Sequence, residues 1–216
     1  MTVNLQSELA NHFRGLKRTV AAAMAAGDVS CKEGKDPLPF ELYVKLGQLM
    51  LKSPSRDMIF GRTFLVLSWN LMSRASNTLS ICYEHMQFRD DALCIYFAQM
   101  KTDQFADRPK DPRHVYANPL KPEICPILAL GIMWLCYGFE SGINRLFLGS
   151  RQYERFRHHF GRVLDEHHDE LDMRGITKDE LGSHSIRKGS ATYCSSGSTS
   201  CPPEAAIDLR AGWAQA

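Results

Sequence analysis

Apolar residues recur with helical spacing over most of the chain, and polar breaks mark where the runs end. Residues 5–26 are alanine-rich, with Leu9, Phe13, Leu16 and Val20 on one stripe, and Gly27-Asp28 closes the run. A polar stretch with Gly34, Pro37 and Pro39 follows over 31–39. Residues 40–52 place Leu42, Leu46, Leu49 and Met50 on one apolar side, and Ser53-Pro54-Ser55 breaks the pattern. Residues 56–72 carry so little polar surface that a helix there belongs inside the core. Arg74-Ala75-Ser76-Asn77 interrupts that helix before 78–82 resumes it. Strand formers then take over. Residues 85–88 lead through the turn Arg89-Asp90-Asp91 into 92–100, with Lys101 near a hairpin, and 113–117 offers a shorter third strand. Helical spacing returns over 124–137, with Pro126 in the first turn, and again over 151–168, 184–193 and 204–211. Thr177-Lys178-Asp179-Glu180 has the form of a capping box or single turn, and 195–201 is a loop of small residues. The pattern predicts an α+β fold, mostly α, with a small three-stranded antiparallel sheet.

Composition narrows the setting. With 216 residues, 44% hydrophobic and 23% charged, the chain can bury one full core. The polar stretch predicts a boundary between a helix-and-linker segment, 1–35, and the main domain, 36–216. A formal net charge of only +2 gives no global basic field, so any nucleic-acid contact must come from a local patch. The seven cysteines include no C-x-x-C pair, and the polar start has no apolar leader run. They read as reduced thiols of an intracellular protein, with Cys82, Cys94, Cys125 and Cys136 in apolar runs expected in the core and Cys194 and Cys201 bracketing a polar loop. The run 124–137 is too short to span a membrane. The pairs His158-His159 and His167-His168 suggest a metal, but adjacent histidines point to different sides of a helix. Each pair offers one ligand where zinc needs three or four, so a solvated basic helix face is expected and no metal. Arg108-Pro109-Lys110 with Arg113 forms a basic cluster in a polar loop.

The candidate chemistry centres on His184-Ser185-Ile186-Arg187. Residues three apart share a helix face, so an imidazole and a guanidinium fork would meet one ligand together. A guanidinium matches phosphate bidentately and stays charged at any working pH. Such a short motif recurs by chance, so its weight depends on partners. Arg74 sits in an apolar setting and needs an anion or solvent. Lys101 sits at a hairpin, and Trp213 follows the helix-ending Gly212 with an indole N–H that can only donate. This donor-rich set lacks the carboxylate cluster of a divalent-metal site. It suits stabilisation of an anionic phosphoryl transition state without a metal.

In that order, Arg74, Lys101 on a hairpin, His184-Ser185-Ile186-Arg187 and Gly212-Trp213 resemble the catalytic domain of the tyrosine recombinases, the phage-integrase type. Gly15-Leu16-Lys17-Arg18, Glu33-Gly34-Lys35, Arg113-His114-Val115-Tyr116-Ala117-Asn118-Pro119, the His184 to Gly189 run and Arg210-Ala211-Gly212-Trp213 are most similar to eukaryotic Crypton-like mobile-element recombinases. The resemblance runs from about residue 36 to the C-terminus. It implies the helical catalytic domain of that family, and DNA recombination or integration by transesterification through a 3′-phosphotyrosine, with no metal and no other cofactor. It further implies double-stranded DNA as partner, a homo-oligomer on that DNA, no membrane and no small-molecule substrate, and an intracellular location that is nuclear for a chain derived from a eukaryotic mobile element. By resemblance Arg74 and Arg187 would clamp the scissile phosphate. Lys101 would protonate the leaving 5′-oxygen, His184 would assist proton transfer at the nucleophile, and Trp213 would hydrogen-bond the phosphate. Lys188 and Arg113 are expected to touch the DNA backbone. Two positions depart from the family pattern. No tyrosine lies between Trp213 and Ala216, and Tyr193, on the helix of His184, reads as a core aromatic instead. Asn77 stands where the family commonly has an acidic residue. The family's N-terminal DNA-clamping domain is missing unless 5–26 is its remnant. The expectation is therefore a truncated chain, inactive alone. A non-catalytic DNA-binding protein on the same fold and a helical protein-interaction domain stay open as alternatives. The recombinase reading requires Arg74, Arg187, His184 and Trp213 around one concave, positive site.

Overall fold

The computed structural model describes residues 2–28, 34–97, 111–139, 142–197 and 202–211. It divides into two units, Met1–Gly34 and Lys35–Ala216. The first is built on helix α1, Thr2–Ala26, ended by Gly27 at φ 82, a left-handed position that suits glycine. Its stripe of Leu5, Leu9, Phe13, Leu16 and Val20 is exposed, from 41% at Val20 to 60% at Leu5.

The second unit is arranged around α3, Arg56–Leu71. Phe64, Leu65, Val66 and Leu67 are consecutive and all fully buried, so neighbours cover this helix on every side. Those neighbours are α2 (Phe40–Lys52), α5 (Pro126–Tyr137), α6 (Gln152–Glu166) and α8 (Ser183–Thr192). The buried Arg62 does not break this apolar helix, because its fork finds backbone acceptors. Its Nε donates to Glu123 O at 2.8 Å and its Nη2 to Pro122 O at 2.6 Å. The short helix α4, Ala75–Leu79, follows α3 after a sharp bend. Strands β1 (Met86–Arg89), β2 (Ala92–Ile95) and β3 (Arg113–Tyr116) form an antiparallel sheet in the order β1-β2-β3. Met86 pairs with Ile95 in the first register and Ile95 with Arg113 in the second. The turn between β1 and β2 uses Asp90 at φ 50, a left-handed position that Asp tolerates better than most residues. Helices α7 (His168–Met173) and α9 (Glu204–Ala211) complete the unit. The fold is the expected one: mostly helical, with one small antiparallel sheet.

Three local expectations need correction. Residues 151–168 are not one helix: α6 stops at Glu166, and His167 at φ −128 separates it from α7. Cys136 is exposed rather than in the core, while Cys94 and Cys125 are buried and Cys82 is half-buried. Helix α5 is apolar on all sides, so its spacing does not reveal which face turns inward, and Leu135 beside Cys136 is 88% exposed. His159 does not lie on a solvated face. It is buried, with Nε2 at 3.4 Å from the Asp57 carboxylate. Arg155 donates to that carboxylate from Nε at 3.0 Å and Nη2 at 2.6 Å, and to the Tyr137 hydroxyl at 2.7 Å. This network joins the start of α3, the end of α5 and the middle of α6. The Arg155 hydrogen bonds hold the Asp57 carboxyl below its usual range, and burial pushes the His159 imidazole down. Among the described residues no helix is long and apolar enough to cross a membrane. None of their His, Cys, Asp and Glu side chains gather in threes that could hold a metal ion.

Candidate functional site

The site is built on the C-terminal end of α3, where the last carbonyls of a helix have no intrahelical partner. Each of the last four is satisfied by a different neighbour. Met72, left-handed at φ 46, donates its N–H to Trp69 O at 3.1 Å, and Ser73 N donates to Ser68 O at 3.2 Å. Ser190 Oγ of α8 donates to Trp69 O at 2.7 Å. Arg210 of α9 donates to Asn70 O from Nε at 3.2 Å and Nη2 at 2.8 Å, and to His114 O of β3 at 2.8 Å. Arg113 of β3 donates to Leu71 O through Nη1. The negative end of the α3 dipole thus meets two guanidinium cations, which is the favourable sense.

The bend after α3 positions Arg74. Buried hydroxyls lock it: Ser68 Oγ and Ser73 Oγ lie 3.0 Å and 2.6 Å from Thr78 Oγ1. The Arg74 carbonyl accepts from Thr78 N at 3.0 Å, so the Arg74 main chain is fixed while its side chain is half-buried. Arg187 comes from α8, which starts where the Ser185 hydroxyl accepts from Gly182 N at 3.0 Å. Helix α8 presses closely on the extended stretch before α2. Leu38 N donates to Ser185 O at 2.9 Å, and a Cβ on Gly189 would sit 2.1 Å from Leu38 O. The buried Arg187 donates through Nη2 to Ala211 O at the end of α9.

The charges of these arginines act on one another. Burial pushes the Arg187 guanidinium down to about 10, and the Arg74 charge adds to the effect. Burial also pushes Arg113 down to about 10, helped by Arg210, Arg187 and Arg74. Among the described residues no carboxylate ion-pairs with Arg74 or Arg210. Four guanidinium groups thus act on one another around the backbone carbonyls at the end of α3.

Arg74 and Arg187, far apart in sequence, are near enough for the Arg74 charge to act on Arg187. His184 lies on α8 one turn before Arg187 and is exposed. Lys101 and Trp213 lie outside the described residues. The chain nearest each is held by the cluster: the Arg113 guanidinium carbon lies 4.9 Å from the Phe97 ring centre, and Arg187 holds Ala211. Lys188 is half-buried and donates to Lys35 O at 2.9 Å. Arg113 is 9% exposed on β3 rather than on a solvated loop, and Arg108 and Lys110 lie outside the described residues. Tyr193 stacks on Phe40, with ring centres 4.1 Å apart, as a core aromatic. The Asn77 side chain is 3.5 Å from the Ser76 hydroxyl and makes no described bond to Arg74. Sequence reasoning missed Arg210 as a member of the cluster. Its signal was its place on the last turn of α9, directly before Ala211-Gly212-Trp213. Depressions of about 500 and 520 Å³ lie along α6 and α7 and contain none of these residues.

This combination of helices, a three-stranded sheet and paired arginines at the end of a buried helix has the fold of recombinase catalytic domains. No protein-family model matches the sequence, and a search of curated proteins finds no match. Solved structures do match. The XerH site-specific recombinase bound to difH substrate aligns in its pre-cleavage complex at a TM-score of 0.54 and 14% identity, over 85% of this chain and 48% of that one. Its post-cleavage complex on palindromic difH gives a TM-score of 0.56 at 13% identity, with the same coverage. FLP recombinase in a Holliday-junction complex gives a TM-score of 0.60 at 10% identity, over 99% of this chain and 51% of that one. The chain spans about half the length of these recombinases.

Proposed function

We propose that this chain is the phosphate-binding catalytic part of a DNA recombinase of the tyrosine type, acting on double-stranded DNA without a metal. One observation supports the reading: Arg113 and Arg210 are held on the last carbonyls of α3, and Arg74 and Arg187 lie near enough for these charges to act on one another, on a recombinase fold. In this reading Arg74 and Arg187 hold the non-bridging oxygens of the scissile phosphate and stabilise the charge that builds up on them. His184 stands in the first turn of α8, where the helix dipole also favours an anion, and assists proton transfer. Lys101 protonates the leaving oxygen, and Trp213 donates to the phosphate. Lys188, the next residue after Arg187 on α8, adds a contact to the DNA backbone. The similarity of the His184 to Gly189 run to Crypton-like recombinases supports an origin in a mobile element and a nuclear location. These residues bind and polarise a phosphate, and none of them is the nucleophile.

Binding of a fluorescent duplex, titrated against salt, tests this reading. The wild-type chain should bind with a steep negative dependence on salt. Arg74→Gln and Arg187→Gln should each weaken binding about tenfold and lower the slope of log affinity on log salt by about 1. On a nicked duplex the chain alone should give no covalent complex. Binding with no dependence on salt, or full affinity in both variants, would rule the reading out.

A further inference from the structure

Arg113 joins three parts of the candidate site. Its side chain is 9% exposed, so its position is set by neighbours rather than by solvent. One arm donates to Leu71 O, the last residue of α3, three residues before Arg74 across the bend. The guanidinium also covers the Phe97 ring, four residues before Lys101, with 4.9 Å from its carbon to the ring centre. Its main chain pairs with Ile95 at the end of β2. Arg210 braces the arrangement from the other side by tying Asn70 O to His114 O, the residue next to Arg113. A planar fork on a short strand is suited to this, because it can donate in-plane and stack on an aromatic face at once.

We infer that Arg113 is a positioning residue, which sets the Arg74 bend and the chain just after β2 in register with each other through Leu71 O and the Phe97 ring. The inference rests on the proposed phosphate-binding role of Arg74. It differs from a direct DNA contact by Arg113, which would act whether or not Arg74 is present.

A double-mutant cycle separates the two roles. Duplex binding is measured for wild type, Arg113→Gln, Arg74→Gln and the double variant, each first checked for a cooperative melt. Hydrogen exchange is followed at residues 72–74 and 95–97. Arg113→Gln should weaken binding about tenfold in the wild-type background and less than about twofold once Arg74 is gone. Exchange at 72–74 and 95–97 should speed up about tenfold while α6 is unchanged. If Arg113→Gln does not fold, Arg113→Lys carries the same comparison. It keeps a charge but has no planar fork, so it should lose about threefold beside Arg74 and nothing without it. An equal loss in both backgrounds, or unchanged exchange at 72–74, overturns the inference. If the wild-type chain binds no DNA, the proposed function fails on its own, and the exchange measurement alone decides the role of Arg113.

Discussion

Arg187 and Arg113 lie where burial and neighbouring cations push their guanidinium groups down to about 10. Arg74 and Arg187 stand out in the sequence because they belong to an ordered set of residue types. Arg113 and Arg210 act through carbonyls of Leu71, Asn70 and His114, and a backbone acceptor leaves no mark in the identity of the residue that bears it. His159 was misread for a related reason. Its partner Asp57 lies on another helix, and nothing in the spacing of α6 announces it. The pairing has a consequence for pH. With burial holding the folded-state imidazole below its ordinary 6.5, the unfolded chain takes up a proton in a range where the folded chain does not. Stability should therefore fall as pH drops through about 6.5 towards the folded-state value. Urea midpoints between about pH 7 and about pH 5 should decline less in His159→Gln than in wild type, and identical slopes would count against this account.

Element boundaries were readable where the chain carries strong punctuation. Helix α2 starts after Pro39 and ends before Ser53-Pro54 as the sequence predicts, and α3 stops one residue short of the expected 72. The end of α6 at Glu166 has no proline or glycine to signal it, so the spacing reads as one helix to 168, and α7 goes unread beyond its first residue. Contacts between helices left no mark in the sequence pattern. Gly189 looks like an ordinary helical glycine, yet it lets α8 lie against the Leu38 backbone, which also carries the bond to Ser185 O. Because that obstacle is backbone, it cannot swing aside. Gly189→Ala should destabilise the fold by about 3 kcal/mol, at the upper end of overpacking costs, although alanine favours helices. It should also weaken DNA binding by moving Arg187. A thermal melt within about a degree of wild type would show that α8 can shift without cost.

Among the described residues, those of the main core all lie at Leu38 or later, and none is on α1. A fragment covering 35–216 should therefore melt cooperatively and keep the salt-dependent affinity for duplex DNA. A non-cooperative melt would mean that the first unit supplies part of the fold. The completed carbonyl set at the end of α3 also bears on the order of folding. Ser190 reaches Trp69 across 121 residues of chain, Arg210 reaches Asn70 across 140, and Arg113 reaches Leu71 across 42. Closures of that length are slow and come after local helices have formed. A nascent chain carries all four arginines as scattered, hydrated cations, and they become a site only when its most distant segments dock. If the proposed role holds, the capacity to grip a phosphate and the completion of folding are one event.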